Sequence, residues 1–266
     1  MNSIEIKHFF KKLLNPLNLK KGDVVLVTLI FWKIAMSIKG DKKKIISLFH
    51  NSLLDLIGNE GTIVSPCHSL NLCGTKIIFN PKKTNSYERG EYPEFLRSQK
   101  YSKRSFHPFA SYVAIGDKAD YITKNVSRFA YGPHSPEARM IELNAKRLGI
   151  GVDVHNLTTI HHVEQSVSVP YRYTKEFIHP VLINNQIKNE PFYLYVRYND
   201  IGLVSDNSKK LFLKIKNRLK IYKSQNKRIN AHCFSLTKYF NLSVAEFVKD
   251  PFIWSKKTPY FKPYRK

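Results

Sequence analysis

The sequence has few cysteines, few acidic residues and no long apolar run. Its three cysteines, Cys67, Cys73 and Cys233, cannot all pair within one chain, and a chain of this size needs no disulfide staples, so a reducing compartment is expected. Cys67 and Cys73 with His68 make at most half a metal site. No second Cys/His cluster has zinc-ligand spacing, and no metal is expected. The longest apolar stretch, Val24 to Ala35, is interrupted by Thr28 and Lys33. It falls short of the roughly 18 to 20 residues that span a bilayer and reads as a buried strand. Near the start, Glu5, Lys7, Lys11 and Lys12 interrupt any continuous apolar core of a signal segment. Export is therefore not expected, and the cytoplasm is.

The 20 Asp and Glu are outnumbered by 44 Lys and Arg, for a net charge of +24. Such a surplus suits polyanionic partners, but a Lys-, Ile- and Asn-rich composition also arises from genome bias alone. With no recognition motif and no aromatic platform, no specific nucleic acid is expected. The surplus is concentrated late: residues 201 to 266 hold 16 basic and 3 acidic residues. Between Lys209 and Arg228, nine positive residues and no negative one are threaded with Leu211, Leu213, Ile215, Leu219 and Ile221. This reads as a basic C-terminal helical segment. Its charged face either meets water or makes peripheral contact with phosphate-bearing ligands or anionic lipid.

What is present is globular. With 266 residues, 42% hydrophobic and 13% aromatic, the chain can bury a full core. Without repeats or a clean linker, residues 1–266 read as a single domain. Helical spacing is expected over Ile4 to Leu14 and from Ile45 to Ile57, stopping at Gly58. Strands are expected at Val24 to Val27 and Thr62 to Val64, so the intervening helix implies a parallel crossover. Residues 71–91 are irregular and rich in Asn, Lys, Pro and Gly, a loop near the mouth of the sheet. A short helix at Tyr92 to Gln99 and a strand at Tyr112 to Ile115 follow. Ser135-Pro136-Glu137 is a helix start, with serine as cap and proline at the first position. A strand at Arg147 to Val152 precedes a helix from Thr158 to Val167, and strands at Pro180 to Ile183 and Phe192 to Tyr198 suggest an antiparallel section. The fold class expected is α/β, a central mixed sheet with helices on both faces.

Chemistry concentrates where the strand ending near Val152 empties into Asp153-Val154-His155-Asn156-Leu157-Thr158-Thr159 and then a helix carrying His161 and Glu164. Three residues apart, these two share a helix face. Carboxyl ends of parallel strands are where ligands sit. A carboxylate that fixes an imidazole's tautomer makes the histidine a general base. Two adjacent histidines in a helix are, against that, ordinary polar residues in most proteins.

Together with Val169-Pro170-Tyr171-Arg172, this stretch resembles the signature of the aminoglycoside 3-N-acetyltransferase family. Further blocks agree in order: Gly22-Asp23, Gly61-Thr62-Ile63-Val64 with Pro66, Arg104-Ser105-Phe106-His107-Pro108 with Ser111, Gly132 with His134-Ser135-Pro136, and Ala231 to Phe247. The resemblance implies an antibiotic N-acetyltransferase-like fold that uses acetyl-CoA as acyl donor, with a small-molecule amine as acceptor. It implies that His161 is the base, Glu164 its support and Asp153 the acid before the helix. Thr28, Arg104, Ser105, His107, Ser111 and Ser135 would lie near the cofactor. Proton removal and positioning suffice for such a transfer, so no nucleophilic serine or cysteine is required.

Two departures stand out. Thr28-Leu29-Ile30 replaces the family's His-Ser-Ser loop. An ungapped match puts His155 at the family's acidic position, whereas a two-residue insertion restores Asp153 and Asn156. Aminoglycosides are polycations whose capture calls for carboxylates, and acids are scarce here. On charge grounds the expected acceptor is therefore an amino sugar that is nucleotide-activated or part of polysaccharide assembly. True aminoglycoside acetylation conferring resistance is the alternative. A degenerate, non-catalytic module docking on polyanions is a further one.

Overall fold

A computed structural model describes residues 1–199, 204–205, 208–226 and 228–257. Position 227 and positions 258–266, part of the basic C-terminal region, lie outside the described residues. In chain order the elements are α1 (Ser3–Leu14), β1 (Val24–Leu29), α2 (Phe31–Ser37), α3 (Lys42–Ile57), β2 (Thr62–Pro66), α4 (Glu91–Arg97), β3 (Lys103–Arg104), β4 (Tyr112–Gly116), α5 (Ala119–Thr123) and α6 (Pro136–Glu142). There follow β5 (Lys146–Ile150), α7 (Ile160–Ser166), β6 (Arg172–Ile183), β7 (Gln186–Arg197), β8 (Val204–Ser205), α8 (Ser208–Ile215), β9 (Tyr222–Lys223), β10 (Ala231–Ser235), α9 (Leu236–Lys249) and β11 (Ser255–Lys257).

Seven strands form one sheet in the order β3-β4-β2-β1-β5-β10-β9. β1 runs parallel to β2 and to β5, while β4 and β10 are antiparallel to their neighbours, so the sheet is mixed. Its centre is covered on both faces, which is why Val24 to Val27 are all buried without alternation. One face carries α1, α2 and α3, whose Ile6, Phe10, Ile34, Phe49 and Leu53 pack with Val25, Val27 and Leu148. The opposite face carries α5 to α9, packing Ile122, Met140, Val163, Leu211 and Phe247 with Leu26, Val64 and Phe234. The α/β class with helices on both faces is thus observed.

Local chemistry sets the boundaries. Asn2 accepts from the Ile4 and Glu5 amides while Glu5 accepts from the Asn2 amide, a capping box that starts α1. Asp41 caps α3, which ends at Gly58 with φ 69°. β6 and β7 form a separate hairpin rather than an extension of the main sheet. They join through Asn184 and Asn185, both at positive φ (49° and 61°), the conformation of a tight hairpin turn. The hairpin is longer than the sequence suggests because Tyr173 to Glu176 are exposed and carry no inside-outside alternation.

The basic segment departs from expectation. Helix α8 ends at Ile215, and Tyr222 and Lys223 instead pair with Cys233 and His232 as the sheet's edge strand. Leu211, Ile215 and Leu219 are all buried, so their helical spacing is real. Leu219, however, reaches the core from a turn.

Candidate functional site

At the end of β5 the chain turns at Gly151, with φ 69°, and crosses the carboxyl end of the sheet before α7. Two buried groups hold this crossing. Arg147 Nη2 donates to the Asn156 carbonyl at 3.1 Å. Thr159 Oγ1 donates to Glu137 Oε2 at 3.2 Å. The first turn of α7 then presents His161.

His161 Nδ1 lies 2.8 Å from Glu164 Oε2. Glu164 is wholly buried. It also accepts from the Tyr171 hydroxyl at 2.7 Å and pairs with Arg172 Nε at 2.8 Å. Burial alone would raise its pKa. The hydrogen bond and charge of His161, with Arg172 and the Tyr171 hydroxyl, overcome that and hold it below the usual carboxylate value. An ionised carboxylate accepts, so Nδ1 carries the proton and Nε2 is the basic nitrogen. The His161 side chain is 29% exposed, with the Tyr131 ring centroid 5.7 Å away and the Trp254 ring edge-on at 5.9 Å.

His161 opens into a cleft of about 680 Å³ lined by His68, Arg89, Tyr131, Arg172 and Trp254, among others. A narrower cavity of about 180 Å³ shares Arg89, Asn156 and Thr158 with it and reaches Thr28, Leu29, Ser65 and Pro66 at the ends of β1 and β2. Both lie where ligands sit in α/β sheets. His68 is 2% exposed. Burial, then Arg89 and the neighbouring histidines, hold its pKa well below the ordinary value. His68 Nε2 and Arg89 Nε are buried without a partner among the described residues, polar atoms left for a ligand.

The other sequence-derived site residues lie apart. Thr28 lines the narrow cavity, but Arg104, Ser105, His107, Ser111, Ser135 and Asp153 line neither space. Arg104 donates to Ser111 Oγ, to Ser69 Oγ and to the Thr84 and Cys67 carbonyls, locking the 71–91 loop to β3. Ser105 Oγ accepts from the Tyr112 amide, and Ser111 Oγ donates to the Cys67 carbonyl. His107 Nδ1 accepts from the Phe109 and Ala110 amides, and burial pushes its pKa to about 3. Ser135 caps α6. The Asp153 side chain is 75% exposed, 4.0 Å from His155 Nε2.

Sequence reasoning passed over His68, Arg89 and Trp254 as site residues, because only the fold brings them to His161. Glu137 reads as an ordinary first-turn acid, yet it is wholly buried and bonded by the Tyr112 hydroxyl and Thr159. Burial pushes its pKa up to about 7. Among the described residues, no group of three or more His, Cys, Asp or Glu is placed to hold a metal ion.

Comparison with known proteins adds three findings. The family model described as aminoglycoside 3-N-acetyltransferase matches residues 36–247. Aminoglycoside N(3)-acetyltransferase IX of Micromonospora chalcea is 28% identical over 191 residues, 65% of this chain and 66% of that protein. Aminoglycoside N(3)-acetyltransferase VII of Streptomyces paromomycinus is 31% identical over 101 residues, 38% of this chain and 35% of that protein. The chain thus spans less than two thirds of the length of these curated relatives. Among solved structures, AAC-IIIb in a binary complex with CoASH superposes with a TM-score of 0.78 at 20% identity, covering 95% of this chain and 98% of that one. AAC-VIa bound to sisomicin gives 0.77 at 17% identity, covering 91% and 96%. At these identities the likeness is one of fold.

Proposed function

Because the chain belongs to the aminoglycoside 3-N-acetyltransferase family, we propose that it is an N-acetyltransferase using acetyl-CoA to acylate an amino group of an amino-sugar compound. The observation that carries this reading is His161 held 2.8 Å from the buried Glu164 carboxylate at the mouth of a cleft. Acetyl-CoA supplies the acetyl group as a thioester. The chain supplies the rest.

His161 Nε2 takes a proton from the acceptor ammonium, and the freed amine attacks the thioester carbonyl. As the C–N bond forms and the C–S bond breaks, the imidazolium returns its proton to the departing coenzyme A sulfur, and the nitrogen's second proton passes to solvent. Glu164 fixes the Nδ1–H tautomer and stabilises the imidazolium that forms. Tyr131 and Trp254 flank the imidazole and limit its rotation. The donor arm would enter along Thr28, Asn156 and Thr158, with Arg89 between the two spaces. As reaction parts, the residues are His161 as base and Glu164 as its support. Residues 1–266 act in this reading as one acyltransferase domain. Three free cysteines, and the absence among described residues of a helix long and apolar enough to cross a membrane, fit a cytoplasmic setting.

The family relationship favours an aminoglycoside-type acceptor. One observation supports a second reading, an amino sugar that also bears an anionic group. The cleft is lined by Arg89, whose Nε is buried without a partner among the described residues, and no carboxylate is among its described lining residues. Thiol release from acetyl-CoA, measured with aminoglycosides and with nucleotide-linked amino sugars, separates the two. Turnover with aminoglycosides alone supports the first reading, and turnover with nucleotide-linked acceptors alone the second. Turnover with neither class, and no coenzyme A binding by calorimetry, would overturn the enzyme reading.

A further inference from the structure

A third space, of about 890 Å³, lies at the turn end of the β6–β7 hairpin and shares no described lining residue with the His161 cleft or the narrow cavity. Its walls include Asn80, Lys82, Lys83, Arg128, Asn184 and Asn185. Hydrogen bonds fix each wall. The Phe79 amide donates to the Pro180 carbonyl and the Leu182 amide to the Phe79 carbonyl, both at 2.9 Å, which holds the 80–83 turn against β6. The Tyr193 amide donates to the Arg128 carbonyl at 3.0 Å and the Ala130 amide to the Tyr193 carbonyl at 2.9 Å, which holds the 125–128 segment against β7. Asn184 and Asn185 form the turn that joins the two strands. The space is preformed, so little chain ordering opposes binding.

Arg128 is the unusual group on this wall. Its guanidinium lies over the Phe106 and Phe192 rings, 4.9 and 4.8 Å from their centroids. Nη2 donates to Glu190 Oε2 at 3.0 Å, while Nη1 is buried without a partner among the described residues. Two aromatic faces thus hold the fork in place, and one arm of it has no acceptor. Lys82 and Lys83 are exposed on the same wall, and no carboxylate is among the described lining residues. Two lysines and a fixed guanidinium arm suit a carboxylate or a phosphate. The remaining lining suits more than a bare anion. The exposed amides of Asn125, Asn184 and Asn185 offer both donors and acceptors, as sugar hydroxyls require. Val126, Leu182 and Ile183 add half-buried apolar surface for the C–H face of a sugar ring. Phe106 is already covered by Arg128, so this wall offers no ring for a nucleobase. The volume falls within the roughly 300–1,000 Å³ of pockets that hold small organic ligands.

We propose that this space is a second ligand site, which takes a sugar bearing a carboxylate or a phosphate. The anionic group meets Lys82, Lys83 and Arg128, and the ring hydroxyls meet the asparagine amides. The site is separate from acyl transfer and does not depend on the reading of His161. On this assignment the chain holds an anionic saccharide outside the cleft in which its chemistry takes place.

The test titrates the full chain by calorimetry with trigalacturonate, with glucose 6-phosphate and with inorganic phosphate. Lys82 and Lys83 are exposed, so K82E/K83E should keep the fold, checked by its melting curve. K42E/K43E, at the exposed start of α3, makes the same change in net charge elsewhere. At least one of the two sugar anions is expected to bind the wild type, with affinity falling about tenfold or more in K82E/K83E and about twofold or less in K42E/K43E. Glycine tolerates the positive φ of Asn184 and Asn185, so N184G/N185G removes two amides without straining the turn. That variant is expected to weaken the sugar anion about threefold or more and to leave phosphate unchanged. Acetyl transfer is expected to be the same in every variant as in the wild type. Binding of neither sugar anion by the wild type overturns the assignment. Equal losses in K82E/K83E and K42E/K43E overturn it too, since the attraction would then be general to the cationic surface. Unchanged sugar affinity in N184G/N185G overturns the saccharide class and leaves an anion site only. A fall in acetyl transfer that parallels the fall in sugar affinity would place the sugar in the His161 cleft and overturn a separate site.

Discussion

Glu164 Oε2 sits 2.8 Å from His161 Nδ1 and also 2.8 Å from Arg172 Nε. One wholly buried carboxylate thus orients the base and neutralises a neighbouring guanidinium. Glu164→Gln removes both functions. The account expects kcat to fall about 10²- to 10⁴-fold, and the unpaired Arg172 to cost about 3–5 kcal/mol of stability. Steady-state kinetics with urea unfolding of the same variant check the pair of effects. A variant with normal kcat would remove Glu164 from the reaction.

The same carboxylate fixes one sign of pH dependence. Its folded pKa lies below the unfolded value. Its stabilisation is therefore present above about pH 4.5 and is lost as pH falls through the folded pKa.

Glu137 works in the opposite direction. Its folded pKa of about 7 lies above the ordinary 4.5 because the group is wholly buried. Between these values the unfolded carboxyl ionises while the folded one keeps its proton, so stability falls as pH rises through that window, by on the order of 3 kcal/mol at most. Glu137→Gln is expected to flatten the change in Tm between pH 5 and pH 8. A variant with the same slope as the wild type would place the titration elsewhere.

The thiols are expected to be inert. Burial pushes Cys233 up to about 12 and Cys73 up to about 11, and raises Cys67 as well, so little thiolate exists at pH 8. Iodoacetamide should label the native protein slowly and leave turnover intact, and intact-mass spectra during turnover should show no acetyl-enzyme. Loss of activity on alkylation of a single cysteine would contradict a direct transfer.

Gly149 faces a crowded interior. A Cβ there would meet the Arg147 guanidinium and the His232 ring, both buried. Gly149→Ala should cost about 1–3 kcal/mol through overpacking, and more if the Arg147 bond to the Asn156 carbonyl breaks with it. Thermal melts and KM for the donor report the two components separately.

Much of the fold was legible because its signals are local. The Asp41-capped repeat ending at Gly58 marks α3, and Ser135-Pro136 marks α6. Three features were not legible. Tyr173 to Glu176 lie in an exposed hairpin arm, where neither face needs to be apolar. Leu219 continues the spacing of Leu211 and Ile215, yet it belongs to a turn because Tyr222 and Lys223 pair with the sheet edge. α9 shows in the sequence only as part of the family resemblance. At the site, His161 and Glu164 were readable because a helix brings residues three apart together. His68 and Arg89 reach the same cleft from the two ends of the β2–α4 connection, and Trp254 reaches it from the turn after α9. No spacing in the sequence records that.

The most direct test of the account is single-turnover acetyl transfer by wild type and His161→Ala, with coenzyme A affinity measured on both. The account predicts that His161→Ala binds coenzyme A as the wild type does and loses transfer about 10²- to 10⁴-fold, with partial recovery at high pH as the acceptor amine deprotonates in solution. Transfer at the wild-type rate by His161→Ala would contradict the assignment of His161 as the base.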